Sequence, residues 1–305
     1  KGLGVQDQDI KRVAKTGIVA TIKGQGNPSG SPQTIAFRAC MDARVFKQDN
    51  TEQPYKPNYR AVHLTGHDSH ITCLVGGAAK ILDHIKQIPS DKTLKLIFQP
   101  AEEQLAGALP IVEEGVIDDV NEIYGMENIP ADVPGKFYTT AGEIMPGATS
   151  IKIVFHGRGG HSSIIEKLKD PMQPALDFHT GLRTLIEGFK TRGKFFNLRI
   201  PYFWCGAAPN VVTNDCILKG FLWTFEQDFA KEILDAVRKL IDESSKKYDC
   251  TADVELKEFC PSLINNQDAT NNVLRVAEKV FGAQNIIKDI FPLHDSEDFS
   301  HFTSR

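Results

Sequence analysis

The sequence predicts an α/β protein, a doubly wound and mostly parallel sheet into which a smaller α+β domain is inserted. Three observations carry that expectation. Apolar strand-like runs alternate with helix-period segments from residue 17 to about 130 and again from 265 onward, and charged groups gather just after the strands. Around Gly142 to Gly147 the pattern changes to half-buried alternating strands and two long helices. The 305 residues, 41% hydrophobic, suffice for two cores of ordinary size.

Taken in order, residues 17–23 (GIVATIK) and 34–41 (TIAFRACM) read as strands joined by the Gly/Pro/Ser-rich segment 24–32, and are expected as a hairpin. Asp42 follows the second strand at its carboxyl end, where open α/β sheets place ligand-binding groups. The charged stretch 43–60, with Pro54 and Pro57, reads as a surface loop. Then Ile71, Leu74, Val75, Ala78, Ile81, Leu82 and Ile85 recur at helical spacing, with Asp68 as the expected N-cap. Strand 93–98 runs into Gln99-Pro100-Ala101-Glu102-Glu103, and a short helix through LPIVEEG closes at Gly115, a C′ glycine.

From Ser150 to His156, Ile151, Ile153 and Phe155 alternate as a strand; a helix near 171–189, strands at 194–204 and 216–225, a helix at 227–247 and a strand from Ala252 to Phe259 follow. Strands paired across two helices on one face describe a ferredoxin-type sandwich over 147–259, inserted into a domain made of 1–146 and 260–305. A helix at 268–281, stopped by Gly282, and a strand at 286–291 complete the first domain.

Composition narrows the partners. With a net charge of −4 and interspersed signs, neither a nucleic-acid surface nor a membrane-binding basic face is expected. The six cysteines are scattered with no CxxC pair, which fits buried free thiols in a reducing compartment, cytosolic or organelle-matrix. No signal peptide and no apolar run long enough to cross a bilayer is read in the sequence, which begins at Lys rather than Met. Gly157-x-Gly159-Gly160 lacks the Lys-Ser/Thr of a phosphate loop and the dinucleotide spacing, which sets nucleotide binding aside.

The chemistry points elsewhere. Glu102 and Glu103 follow a strongly apolar strand, and two adjacent carboxylates there need either a solvated face or a cation. With a metal, one carboxylate serves as ligand while the other accepts a proton from water. His63, His67 and His70 crowd a helix start, whose dipole favours neutral, metal-ready rings, although loop histidines in hydrogen bonds would look the same.

Six segments together resemble the zinc-dependent amidohydrolase family of hippurate hydrolase, indole-acetyl-amino-acid hydrolases and aminobenzoyl-glutamate hydrolase. They are Arg38 to Ala43, His63 to His70, Phe98 to Glu103, Gly125 to Pro130, Gly157 to His161 and Glu297 to Phe299, with Asn210-Val211 also matching. The resemblance implies Glu102 as general base, Asp42 orienting the site, and His67, Glu103 and Glu127 as ligands for Zn or Mn. It further implies His161 as an oxyanion donor reaching a partner subunit's substrate, Asn210 lining the pocket, and a homodimer formed through the inserted lid domain.

The departures fall on the metal. Thr65 stands where that family has a bridging Cys, Glu127 where it has a ligand His, and Cys40 where it has an Asp; a last ligand His would lie beyond Arg305. Two functions are therefore carried forward. One is a metal-dependent hydrolase of N-acyl amino acids or small peptides; the other is a catalytically silent relative, with no ion, kept as a binding or assembly subunit.

Overall fold

The structure is a computed structural model that describes residues 2–45, 61–128, 134–206, 208–288 and 292–304. Most of the expected loop 43–60, the end of the Gly125 to Pro130 segment and the end of the strand expected at 286–291 lie outside the described residues. The chain divides into two compact units: Lys1–Gly142 with Ile264–Ile290 and Glu297–Arg305, and Glu143–Leu263 with Phe291–Ser296.

The first unit is α/β. Its sheet contains β1 (Ile10–Val13), β2 (Gly17–Lys23), β3 (Gln33–Cys40), β4 (Lys92–Gln99) and β5 (Glu122–Gly125) in the order β1-β2-β4-β3-β5. β1, β2 and β4 are antiparallel neighbours, whereas β4, β3 and β5 run parallel. The expected hairpin of 17–23 with 34–41 does not form, because β4 lies between them. The reason is in the linker: Gly24, Gln25 and Gly26 donate their amides to Lys92, Ile85 and Ile88, so this segment crosses the chain ahead of β4 instead of turning back. The apolar run of β4 then takes a central place, with Ile97 fully buried between two neighbours.

Helix α1 (His67–Asp83) covers part of this sheet, placing Leu74, Ala78 and Leu82 with Ala20, Ile22 and Leu96. Its N-cap is Gly66, in the left-handed region at φ 83°, and not Asp68, which falls in the first turn. The positive φ favours glycine at 66, and a Cβ there would also lie 2.2 Å from Asn128 Nδ2 and displace that side chain. Helix α2 (Ala108–Glu113) ends before Gly115, and the last long helix (Gln267–Phe281) is capped by the Asn266 side chain and stopped at Gly282.

The second unit is a four-stranded antiparallel sheet of β6 (Gly147–His156), β7 (Phe196–Trp204), β8 (Asp215–Thr224) and β9 (Thr251–Cys260), with α3 (Met172–Lys190) and α4 (Gln227–Lys247). Strand order β7-β8-β6-β9 and the β-α-β-β-α-β succession are those of a ferredoxin-type sandwich. Phe155, Phe178, Ile151, Ile153, Leu218, Leu222, Ile233 and Ile241 fill its core, each stabilising the unit by about 1.5–3 kcal/mol. The free-thiol expectation is corrected for Cys205 and Cys216, which form a disulfide; the pairing of Trp204 with Ile217 brings their Cα atoms to 4.4 Å. Cys40, Cys73, Cys250 and Cys260 are in no disulfide, and among the described residues no helix is long and apolar enough to cross a membrane.

Candidate metal and catalytic centre

Three parallel strands end together and deliver the site. β4, β3 and β5 are adjacent, with Cys40 paired to Gln99 and Arg38 to Gly125, so the residues just after them converge. These are Asp42, Glu102 with Glu103, and Glu127, and the start of α1 adds His67 and His70. Glu102 to Gln104 form one tight turn flanked by Ala101 and Leu105 in left-handed backbone, which forces the two glutamates in different directions.

Glu102 turns inward. It is only 9% exposed, and its Oε2 lies 3.4 Å from His67 Nε2. The other ring nitrogen, His67 Nδ1, is 3.1 Å from Asp42 Oδ1, and the second Asp42 oxygen accepts the Glu103 amide at 3.0 Å. A carboxylate behind an imidazole fixes the tautomer, leaving Nε2 bare toward Glu102. Glu103 turns to the opposite side, where it accepts the Thr65 hydroxyl at 2.5 Å and pairs with Arg44.

Glu127 is held by its own neighbour, the Asn128 amide donating to Oε1 at 3.0 Å. The Asn128 side chain donates to the Gly66 carbonyl at 2.9 Å and lies 2.8 Å from the Ser69 hydroxyl, tying the end of β5 to the start of α1. His70, one turn after His67, is 1% exposed, and neither ring nitrogen has a hydrogen-bond partner; Nε2 stands 3.5 Å from Glu127 Oε1. Ligand atoms of Cys40, His67, His70 and Glu127 all lie within 4.8 Å of one another.

Beneath them lies a second group, Glu102, Glu297 and Asp298. This one already has its cation. Arg38 pairs with Glu297, reaches Asp298 at 3.5 Å and donates to Cys40 Sγ at 2.7 Å. Asp298 also accepts Gln99 Nε2 at 2.7 Å and the Gly107 and Ala108 amides at 2.9 Å each, capping α2 from far along the chain.

Electrostatics record the crowding. Burial, reinforced by Glu297, pushes the Glu102 carboxyl up to about 10, and burial with the same neighbour pushes Glu127 to about 7. Burial and the adjacent His67 push His70 down to about 4, so it is a neutral ring. Burial works against Asp42, but the His67 and Glu103 hydrogen bonds outweigh it and hold that carboxyl low. Burial also works against a charged His67, but the Asp42 hydrogen bond and the surrounding carboxylates outweigh it and hold that imidazole above its ordinary value.

His161 and Asn210 belong to the second unit and meet there. Gly160–His161 pairs with Val211–Val212, the Ser162 amide donates to the Asn210 carbonyl at 3.0 Å, and the exposed His161 ring contacts Ser163 Oγ at 2.8 Å. Arg38, Cys40, Glu297 and Asp298 join this cluster without having been given a role from the sequence, and His70, read there only as one of three imidazoles at the helix start, lies at its centre. Strand alternation puts Arg38 and Cys40 on one face at the end of β3, and the i,i+3 spacing of His67 and His70 puts both on one helix face. No local signal connects Glu297 and Asp298 to Arg38.

Comparison with known proteins adds the following. The family described as peptidase family M20/M25/M40 matches residues 36–305. Hippurate hydrolase of Campylobacter jejuni is 30% identical over 295 residues, covering 96% of this chain and 75% of that protein. Thermostable carboxypeptidase 1 of Saccharolobus solfataricus is 28% identical over 294 residues, covering 95% and 72%. The crystal structure of a dinuclear metal-binding M20 peptidase from Bacillus subtilis matches with a TM-score of 0.75 at 25% identity, over 97% of this chain and 75% of that one.

Proposed function

The chain belongs to peptidase family M20/M25/M40, and from that premise we propose that it hydrolyses the amide bond of N-acyl amino acids or small peptides with a divalent ion and Glu102 as the proton-transfer group. Family membership implies a divalent metal, and the donors present fit one: two buried imidazoles, one of them with no hydrogen bond at either nitrogen, beside a carboxylate and a thiol. Sulfur and nitrogen donors favour Zn over Mn. The relatives named for hippurate and for carboxypeptidase action support an acylated amino acid or peptide as the substrate class.

The observation that carries the reading is the buried Glu102 beside His67 Nε2 at 3.4 Å, with Asp42 on the far ring nitrogen. When bound, the ion supplies Lewis-acid polarisation of the scissile carbonyl and makes water more acidic. Asp42 orients His67, and Glu102 takes the proton of the attacking water and returns it to the leaving amine. His67 and Glu127 act as ligands; Glu103, the third ligand that the family pattern assigns, is held by Thr65 and Arg44 and can bind the ion only when they release it. His161 is proposed as the donor to the scissile carbonyl of a partner subunit's substrate and Asn210 as a pocket residue, in a homodimer formed through the second unit.

A specific observation favours the alternative, a silent assembly subunit: Thr65 and Arg44 occupy both oxygens of Glu103. Glu102→Gln decides between the two. In an enzyme it abolishes hydrolysis of N-acyl amino acids while metal content and unfolding temperature hold; a wild-type protein that binds metal yet releases no amino acid from such substrates refutes the hydrolase reading.

A further inference from the structure

We propose that the divalent ion of this chain sits in a relocated, single-ion site of Cys40 Sγ, the His67 and His70 rings and Glu127, with Cys40 and His70 as ligands that the family pattern does not assign. This rests on the metal-dependent reading above and specifies its ligands. The starting point is what the chain lost and gained: the thiolate expected at 65 is a Thr hydroxyl, turned away onto Glu103, while a thiol appears at the end of β3 where the pattern has a carboxylate.

Geometry supports the new position. All four donor groups offer atoms within 4.8 Å of one another, a spread that an ion with bonds of about 2.0–2.3 Å draws in by roughly an ångström, and a five-coordinate ion there keeps one position for water. Cys40 is fully buried, and His67 and His70 are each 1% exposed. His70 is the decisive member, because a buried imidazole with both nitrogens unpartnered has an unmet need that an ion removes. Each of the other ligands already has the outer contact a metal ligand needs: Asp42 on His67 Nδ1, the Asn128 amide on Glu127, and the Arg38 guanidinium on Cys40 Sγ at 2.7 Å.

Charge balances as well. One thiolate and one carboxylate against a dication leave the centre neutral, which a buried site requires. Binding releases the Cys40 proton to solvent and forms one metal–sulfur bond. The neighbouring Glu102, Glu297 and Asp298 group does not hold a second ion in this account, since Arg38 supplies its positive charge and Asp298 is saturated by Gln99 and two amides.

The test is spectroscopic. Metal-free protein is loaded with Co²⁺, and the near-ultraviolet thiolate-to-cobalt charge-transfer band is read alongside Zn²⁺ affinity by competition with a chromophoric chelator. Wild type and Cys73→Ser, which removes an exposed thiol outside the group, should show the band; Cys40→Ser should lose it. His70→Asn should keep the band and lower Zn²⁺ affinity about 10- to 100-fold. Should Cys40→Ser fail to fold, zinc-edge X-ray absorption of wild type must count one sulfur ligand. Cobalt bound without the band, or zinc with no sulfur, overturns the relocated site and leaves metal dependence standing; wild type that retains neither ion overturns both.

Discussion

Arg38→Leu tests how the buried charges are held. Its guanidinium serves Glu297 and Asp298, donates to Cys40 and lies 5.1 Å from the centre of the Phe299 ring. Without it Asp298 keeps three donors, Gln99 at 2.7 Å and the Gly107 and Ala108 amides at 2.9 Å. Glu297 keeps the Phe299 amide at 3.0 Å and a hydrogen bond with the Asp298 carboxyl, but no cation. The cost therefore falls on Glu297, a buried carboxylate left without a counter-ion, and is about 3–5 kcal/mol. Both tryptophans, Trp204 and Trp223, lie in the second unit, so fluorescence does not follow this change. Hydrogen exchange of the β3 and β4 amides does, and should accelerate between about a hundredfold and several thousandfold. Adding Glu297→Leu removes the stranded charge, so the double variant should exchange more slowly than Arg38→Leu alone. A double variant as labile as the sum of the two single changes refutes the reasoning.

The remaining expectations concern neighbouring parts of the molecule. Asn128→Ala removes two bonds that tie the end of β5 to the start of α1, and should destabilise the first unit by about 1–3 kcal/mol in hydrogen exchange of α1; exchange unchanged from wild type contradicts the tie. In the second unit, the hydrogen bond with Asp215, helped by Asp253, outweighs burial and raises the His156 imidazole above its ordinary 6.5. A raised imidazole stabilises below that pH and loses its contribution as pH rises through the folded value. The urea midpoint read by tryptophan fluorescence should thus fall as pH climbs from about 6.5, and His156→Gln should flatten the slope; an equal slope in both proteins contradicts the assignment.

Legibility in the sequence followed the range of the interactions. Helix 227–247 and the alternation of Ile151, Ile153 and Phe155 were readable because their period is local, and the second unit's topology followed from element order. The hairpin error came from treating 24–32 as a turn, when its amides bond to residues 85–92, a partner no window around it contains. Asp68 lost the cap position to Gly66 because Asn128 fixes that glycine from 62 residues away. Within the site, the Glu pair, Asp42 and His67 announced themselves at strand and helix ends. His70 and Cys40 acquire meaning only when β3 and α1 are brought together, and Arg38 only when Glu297 arrives across 259 residues.

The account depends on a cation among these buried groups, and the most direct measurement is the metal content of protein isolated without chelator, followed by its unfolding with and without added ion. It predicts about one equivalent of Zn or Mn per chain, with chelation lowering stability by about 2.7 kcal/mol relative to ion held at a hundred times its dissociation constant. A metal-free protein whose unfolding temperature is unmoved by either ion contradicts it.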